Sequence, residues 1–541
     1  MKLVSVDEMR KIEAEANERG VSYEMMMERA GLGVAEVIRR EYANLENPTA
    51  LGLVGSGNNG GDALVALAAL AQAGWKARAY LARPRQANDP LVARLVQAGG
   101  EVLSAEEDAK RRRLDAWLED SAVLLDGILG TGTKLPLKPE LAELLGHVAP
   151  LAAHLHVVAV DCPSGVDCDT GAADEAALPA EMTLCMQAIK LGLVEFPAFK
   201  KVGRLAVIDL GLPANLKSAQ GIMRQVADRS LVSEFLPARP MDAHKGTFGT
   251  AMIAAGSINY SGAAYLAGRA AYRVGAGLVR LAIPGPLHTA LAAQLPEATW
   301  LIVPHEMGVI EASAAGVISR NLDKADALLI GPGLGQENTT AEFLQNLLSE
   351  KSSHGSKGSF GFVVTAKEEE PPAESIHLPP LVIDADGLNL LAGLEDWPHL
   401  LPPETVLTPH PGEMSRLTGL PTAEVQAQRV ALAERYAKER GQVVVLKGAL
   451  TVVAGAQGQT CIIPVATAAL AKAGTGDVLA GMIVGLRAQG VPAFQAAVAG
   501  AWLHAQAGLK AAEWMGTTAS VLASDVLDSI PEVLQELQPL D

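Results

Sequence analysis

Aromatic residues make up only 4% of the 541-residue chain, positive charge is scarce, and the four cysteines carry no pairing pattern. Each shortage excludes a class of protein. Cys162, Cys168, Cys185 and Cys461 form no Cys-x-x-Cys pair and have no clustered histidines, so neither a zinc site nor a disulfide framework is indicated. Lys and Arg number 44 against 61 Asp and Glu, a formal charge of −17. Nucleic-acid binding draws its affinity from cations that neutralise phosphates, so no nucleic-acid partner is expected. The one compact basic cluster, Arg111-Arg112-Arg113, follows Glu106-Glu107-Asp108 and reads as a solvated helix face. No apolar run approaches the roughly 20 residues of a membrane span, and Met1 to Glu8 lacks a signal-type apolar core. A cytoplasmic protein with no membrane partner is the expectation.

What is present is a well-stocked α/β interior: 49% hydrophobic and 19% charged residues, with Ala, Val and Leu offsetting the missing aromatics. The length exceeds what one core organises, which predicts two domains. Two glycine-rich stretches, Gly55-Ser-Gly-Asn-Asn-Gly-Gly-Asp62 and Ala473-Gly-Thr-Gly-Asp477, lie in separate halves, and each reads as the opening of a helix. Such a turn clears away side chains, so backbone N–H groups converge on one anion and the helix dipole adds favourable potential. Each stretch also ends in an aspartate. A carboxylate beside an anion is unfavourable unless it binds a cation or moves a proton. Two active sites in one chain are therefore expected.

In the first half, Ser5 with Glu8 has capping-box spacing, and Ser22 precedes an amphipathic run through Met25, Met26, Met27 and Ala30. Helical spacing assigns the methionines to core or subunit contact. Ala50–Val54 then reads as a buried strand, Asp62–Ala73 as a helix and Ala77–Ala82 as a second strand. Further strands are expected at Ala122–Leu125, Val157–Val160, Met182–Met186 and Leu205–Ile208. Alternation with helical stretches predicts a doubly wound parallel sheet. Ligands gather outside the carboxyl ends of such strands, where Gly55, Asp126 and Asp161 fall. Either aspartate alone would serve equally as a turn or cap residue. Gly55, Gly57 and Gly60 also satisfy the dinucleotide fingerprint Gly-x-Gly-x-x-Gly, but Arg83-Pro-Arg85 stands where that fingerprint's acid belongs.

Four motifs in order, Gly57-Asn-Asn-Gly-Gly-Asp62, Asp126-Gly-Ile-Leu-Gly-Thr-Gly132, Asp161-Cys-Pro-Ser-Gly-Val-Asp167 and Ile189-Lys-Leu-Gly192, resemble the NAD(P)H-hydrate epimerase family. The resemblance implies that Asn58, Asn59, Gly60, Gly61 and Asp62, with Gly130, Thr131, Gly132, Thr133, Lys134, Leu135 and Pro136, bind the dinucleotide hydrate. It also implies a K+ ion among Asn59, Asp126 and Ser164, and places Asp161 against the reacting ring with Lys190 nearby. Ala63 departs from the glycine usual after the loop aspartate.

Pro213 to Pro240 changes character and reads as the interdomain connection, so one domain is expected over 1–219 and a second over 226–541. The second opens at His244-Lys-Gly-Thr-Phe-Gly249, followed by a strand over Thr250–Ala255 and a small-residue helix over Ala263–Val274. Residues 351–380 read as a Ser/Gly/Pro- and charge-rich surface excursion, with a short strand possible at Phe360–Thr365. Asp384-Ala-Asp-Gly-Leu-Asn389, Thr408-Pro-His-Pro-Gly-Glu413, Leu446-Lys-Gly-Ala-Leu-Thr451 and the Gly-Thr-Gly-Asp turn together resemble the ribokinase-like α/β/α fold. In that fold the turn is an anion hole and its aspartate, here Asp477, a base, although an aspartate so placed can also be a plain helix N-cap.

His410-Pro-Gly-Glu413 replaces the Asn-x-x-Glu of small-molecule kinases. With Gly331-Pro-Gly-Leu-Gly335 it resembles the NAD(P)H-hydrate dehydratase branch. The resemblance implies substrate contacts at Ala251, Gly333, His410 and Asp477. It implies nucleotide contacts at Lys447, Gly448, Ala449, Leu450, Thr451, Thr467, Lys472, Gly474, Thr475 and Gly476. Glu413 would position a hydrated Mg2+ ion. Joined to a Rossmann-like first domain, the reading is an enzyme that epimerises NADHX and NADPHX and dehydrates the S form at the expense of ADP, as a homo-oligomer. The competing readings are a ribokinase-like vitamin or sugar kinase with an N-terminal regulatory domain, and a binding scaffold.

Overall fold

The chain folds as two contiguous units, Met1–Val226 and Ala227–Asp541, in a computed structural model that describes residues 1–349 and 378–538. Most of the expected 351–380 excursion, with its candidate strand Phe360–Thr365, lies outside the described residues.

The first unit is built on seven strands: β1 (Thr49–Val54), β2 (Lys76–Leu81), β3 (Glu101–Ser104), β4 (Val123–Gly127), β5 (His156–Val160), β6 (Met182–Met186) and β7 (Arg204–Ile208). They pair in the order β3-β2-β1-β4-β5-β6-β7, all parallel. Strands covered by helices on both faces need no polar side, so Ala50–Val54 and Val123–Leu125 are continuous apolar runs, buried throughout. The doubly wound sheet is the one the alternation predicts. β3 was not legible: it is a short edge strand, exposed at Glu101, with no apolar run to announce it.

Two helices lead this unit, α1 (Val6–Glu18) and α2 (Tyr23–Glu41). The Ser5 and Glu8 side chains exchange capping hydrogen bonds with each other's backbone, and the Ser22 hydroxyl accepts from Met25 N. Met26 is buried on α2 while Met25 is exposed. The third helix, α3 (Asn58–Gln72), begins within the glycine loop, four residues before the apolar periodicity starts. Asn and Gly are poor helix formers, so the sequence hides this first turn. Packing explains its composition. A Cβ on Gly55 would lie 1.9 Å from Ile128 O, and one on Gly60 would lie 2.1 Å from Gly55 O. Ala63 fills room vacated by Gly127, whose own Cβ would lie 2.6 Å from that of Ala63.

The second unit carries β8 (Thr250–Ala254), β9 (Leu278–Pro284), β10 (Thr299–Val303), β11 (Ala327–Ile330), β12 (Leu381–Ile383), β13 (Val406–Leu407), β14 (Val443–Leu446), β15 (Val452–Ala454) and β16 (Thr460–Ile462). Their order is β16-β15-β14-β13-β12-β11-β8-β9-β10, parallel from β14 to β10 and antiparallel through β15 and β16. Helix α4 (Ser261–Arg273) buries Ala263, Ala264, Ala267, Ala270 and Ala271. Its partner is α5 (Thr475–Ala488), where a Cβ on Gly481 would sit 2.2 Å from Ala267 O. The small-residue face is thus consumed inside the unit, not left for a subunit contact. Helix α6 (Ala493–Met515) packs on the far side of α5.

Candidate functional site

In the first unit the strand order reverses direction between β1 and β4, the position where open parallel sheets leave a crevice at their carboxyl ends. The glycine loop follows β1, and Asp126 is the penultimate residue of β4. Asp126 is buried. Its Oδ2 accepts from Ser164 N at 2.7 Å and its Oδ1 from the Ser164 hydroxyl at 2.5 Å. Asn59 donates to Leu129 O at 2.8 Å, leaving its buried Oδ1 with no partner among the described residues. Burial raises the Asp126 pKa while the Ser164 hydrogen bonds pull against it. The three residues expected around K+ are thus gathered at one crevice. Amide, carboxylate and hydroxyl oxygens with an orphaned acceptor among them fit a hard monovalent cation. The loop Gly130–Pro136 adjoins them: a Cβ on Gly130 would lie 3.3 Å from that of Asn59. Within it Thr133 is buried, while Gly132, Lys134 and Pro136 are exposed.

Asp161 follows β5 with a left-handed backbone (φ 63°). Its Oδ1 accepts from Met186 N at 3.0 Å and from Lys190 Nζ, and Lys190 also donates to Met186 O at 3.2 Å. Lys190 is 1% exposed, a lysine that survives burial because it is paired. Asp62, the fifth residue of α3, belongs to the same cluster. Burial and the charges of Asp161 and Glu13 hold its pKa well above the usual carboxylate range. Glu13 of α1 was not found from sequence: one carboxylate on an amphipathic helix carries no motif. Arg85 was read only as a missing acid, yet it donates to Gly55 O at 2.6 Å and to Gly57 O at 3.3 Å while pairing with Asp89. It braces the glycine loop.

In the second unit, β11, β12, β13 and β14 are adjacent and parallel, so the residues after their carboxyl ends share one edge. These are Gly331–Gly333, Asp384, Thr408–His410 and Lys447. Asp384 is 1% exposed; its Oδ1 accepts from Lys447 Nζ at 2.6 Å, and its Oδ2 has no partner among the described residues. Lys447 stands 3.6 Å from Glu413, which caps its helix by accepting from His410 N at 2.7 Å. Burial alone would lower the Lys447 pKa, but Asp384 and Glu413 more than offset it. Glu413 is raised by burial, with Lys447 opposing.

Asp477 lies in the first turn of α5, whose N-cap Gly474 is left-handed (φ 88°). Burial, then the Asp384 charge, raises its pKa to about 7, Lys447 opposing. A cavity of about 430 Å³ opens beside it. Every residue expected to hold the nucleotide lines that cavity except Leu450 and Gly474. Leu450 is buried, and a Cβ on Gly474 would face Leu266 instead. His410 lines the cavity as well.

Ala251 does not join them. It is the second residue of β8, fully buried, three residues before that strand's carboxyl end, or about 10 Å at the rise of a strand. At the expected end, Gly333 approaches Tyr260 and Ala263, each with a Cβ 2.8 Å from where a Gly333 Cβ would stand. His504 of α6 also borders the cavity and was not anticipated. Its immediate neighbours, Trp502, Leu503 and Ala505, are apolar residues of a buried helix, which advertise packing and nothing else.

A family model described as NAD(P)H-hydrate dehydratase matches residues 251–366 and 372–532. A second, described as YjeF-related protein N-terminus, matches residues 23–192. The bifunctional NAD(P)H-hydrate repair enzyme of Moorella thermoacetica is 35% identical, over 99% of this chain and 97% of that protein. The corresponding enzyme of Salinibacter ruber is 36% identical, over 96% and 93%. Among solved structures, an ADP/ATP-dependent NAD(P)H-hydrate dehydratase from Bacillus subtilis is 29% identical, covering 58% of this chain and 99% of its own, with a TM-score of 0.46.

Proposed function

Since the chain belongs to the family of bifunctional NAD(P)H-hydrate repair enzymes, we infer that it restores hydrated nicotinamide cofactors in two steps. The first unit interconverts the R and S hydrates, NADHX and NADPHX. The second dehydrates the S form with consumption of a nucleotide. The observation that carries the second assignment is the convergence of Asp477, the Asp384–Lys447–Glu413 charges and the cavity on one edge of the sheet.

The substrate is a carbinolamine: a hydroxyl on C6 of the ring, next to the ring nitrogen. Asp62, whose raised pKa favours the protonated acid, gives its proton to the departing hydroxyl, and the nitrogen lone pair supplies the electrons. Water leaves, and the flat ring cation faces the carboxylate of Asp161, which Lys190 holds in place. Water returns on either face and the proton goes back to Asp62. Asn59, Asp126 and Ser164 would hold K+, whose bound charge helps to anchor the anionic part of the dinucleotide. Lys190 serves as a positioning residue.

In the second unit Asp477 takes the proton of the C6 hydroxyl, and the alkoxide attacks the terminal phosphorus of the nucleotide. Phosphate is a good leaving group where hydroxide is poor. The ring nitrogen expels it, and loss of a C5 proton regenerates NADH or NADPH. The backbone of Gly474, Thr475 and Gly476 cradles the phosphate under transfer, and Lys447 and Lys472 add positive charge. Asp384 Oδ2 and Glu413 would hold a hydrated Mg2+, which neutralises phosphate charge. The nucleotide is ADP, giving AMP and phosphate, and the reaction takes place in the cytoplasm. His410 and the Gly333 loop would receive the nicotinamide ring.

Purified protein is mixed with separate R and S hydrates, ADP or ATP, Mg2+ and K+, and the return of reduced-nicotinamide absorbance is followed. Recovery from both epimers, dependent on nucleotide, is the expected result. Accumulation of a stable phosphorylated compound without that absorbance would favour the kinase reading.

A further inference from the structure

Helix α6 lends Ala501, His504 and Ala505 to the wall of the cavity in the second unit. His504 is 8% exposed, and its Nε2 has no hydrogen-bond partner among the described residues. A buried imidazole nitrogen left unpaired is costly, so a ligand that satisfies it gains affinity and selectivity. The position of the ring identifies which part of a nucleotide it meets. A backbone hydrogen bond ties it to Thr475, at the anion-binding turn. Its helix neighbours Ala501 and Ala505 line the same cavity as Ile463, Val465 and Leu479, an apolar lining suited to a flat base. Burial and the nearby Lys447 lower the imidazole pKa to about 4, so the ring is neutral at physiological pH and is no partner for phosphate. The group that lies between phosphates and base is the ribose. Its hydroxyls donate and accept, matching a neutral imidazole in either tautomer.

We propose that His504 hydrogen-bonds a ribose hydroxyl of the bound nucleotide and makes the second site select ribonucleotides over deoxyribonucleotides. The proposal rests on the reading of this cavity as the nucleotide site.

Calorimetric titration of the full chain with ADP, 2′-deoxy-ADP and 3′-deoxy-ADP tests it, alongside His504→Leu and His504→Gln. A cooperative denaturant transition of each full-length variant, compared with the wild type, reports an intact second unit. The wild type should bind ADP about fivefold tighter than at least one deoxy form, the worth of one neutral hydrogen bond. His504→Leu should erase that gap by weakening ADP alone, and His504→Gln should keep part of it. Equal weakening of all three ligands by His504→Leu, or no gap in the wild type, overturns the proposal. If the leucine variant fails to fold, the wild-type gap and the glutamine variant still decide. Absence of any nucleotide binding by the wild type would overturn the nucleotide reading itself, and the proposal with it.

Discussion

At the scale of single residues, both candidate sites are marked by acids held where acids are uncomfortable. Asp477 has a folded-state pKa of about 7 against an ordinary 3.8, so the folded protein binds its proton more tightly than the unfolded chain does. The stability this contributes is complete below pH 3.8 and lost as pH rises through 7. Asp477→Asn should therefore stabilise the second unit by about 2–4 kcal/mol above neutrality and by little near pH 4, measured by denaturant titration at both pH values. Dehydration should be abolished in the same variant. In the wild type kcat/KM for dehydration should fall as pH drops below about 7, because a base must be ionised to act. Lys190 gives the converse case. Lys190→Met strands the buried Asp161 charge and should cost about 3–5 kcal/mol in the first unit, most of it recovered by adding Asp161→Asn. Legibility at this scale tracked motif context. Asp62, Asp126, Asp161 and Asp477 each sit in a glycine-bearing motif, and those were readable. Glu13, Arg85 and His504 act through the folded neighbourhood alone, and nothing beside them in sequence betrays it.

At the scale of elements, parallel strands were easy to read and their rims were not. β1 and β4 to β7 announce themselves as apolar runs bounded by polar turns, whereas β3, short and exposed, has only its place beside β2 to make it a strand. The start of α3 was hidden because its first turn is built from Asn and Gly, chosen for backbone approach at the expense of helix propensity. Ala251 is a different case: its strand was recognised, and the contact that the resemblance implies there falls within the buried length of the strand. The close approach at the loop makes a sharp test. Gly60→Ala forces a Cβ to within 2.1 Å of Gly55 O and must displace the loop. Epimerisation should drop by at least a hundredfold in an R-to-S conversion assay. Dehydration of the S hydrate by the same preparation should be unchanged.

At the scale of the whole molecule, two chemistries occupy two self-contained stretches of chain. Neither site borrows a described residue from the other stretch, so a mixture of Asp161→Asn and Asp477→Asn chains should restore conversion of the R hydrate. It should do so with a lag before reduced-nicotinamide absorbance rises, because the S hydrate must pass between molecules. Failure of the mixture, with each variant retaining its other activity, would contradict independent sites. Contiguity also sets an order in time during synthesis. Every strand of the first sheet has been synthesised by residue 226, while roughly 300 residues are still to be made, tens of seconds at about 5–20 residues per second. The sheet of the second unit waits longer, because β8 at its interior pairs with β11 some 75 residues later and the catalytic turn of α5 comes later still. A polysome therefore carries nascent chains whose epimerising half is already folded before any dehydrating half exists, and premature termination releases a protein that can equilibrate the two hydrates but never clear them.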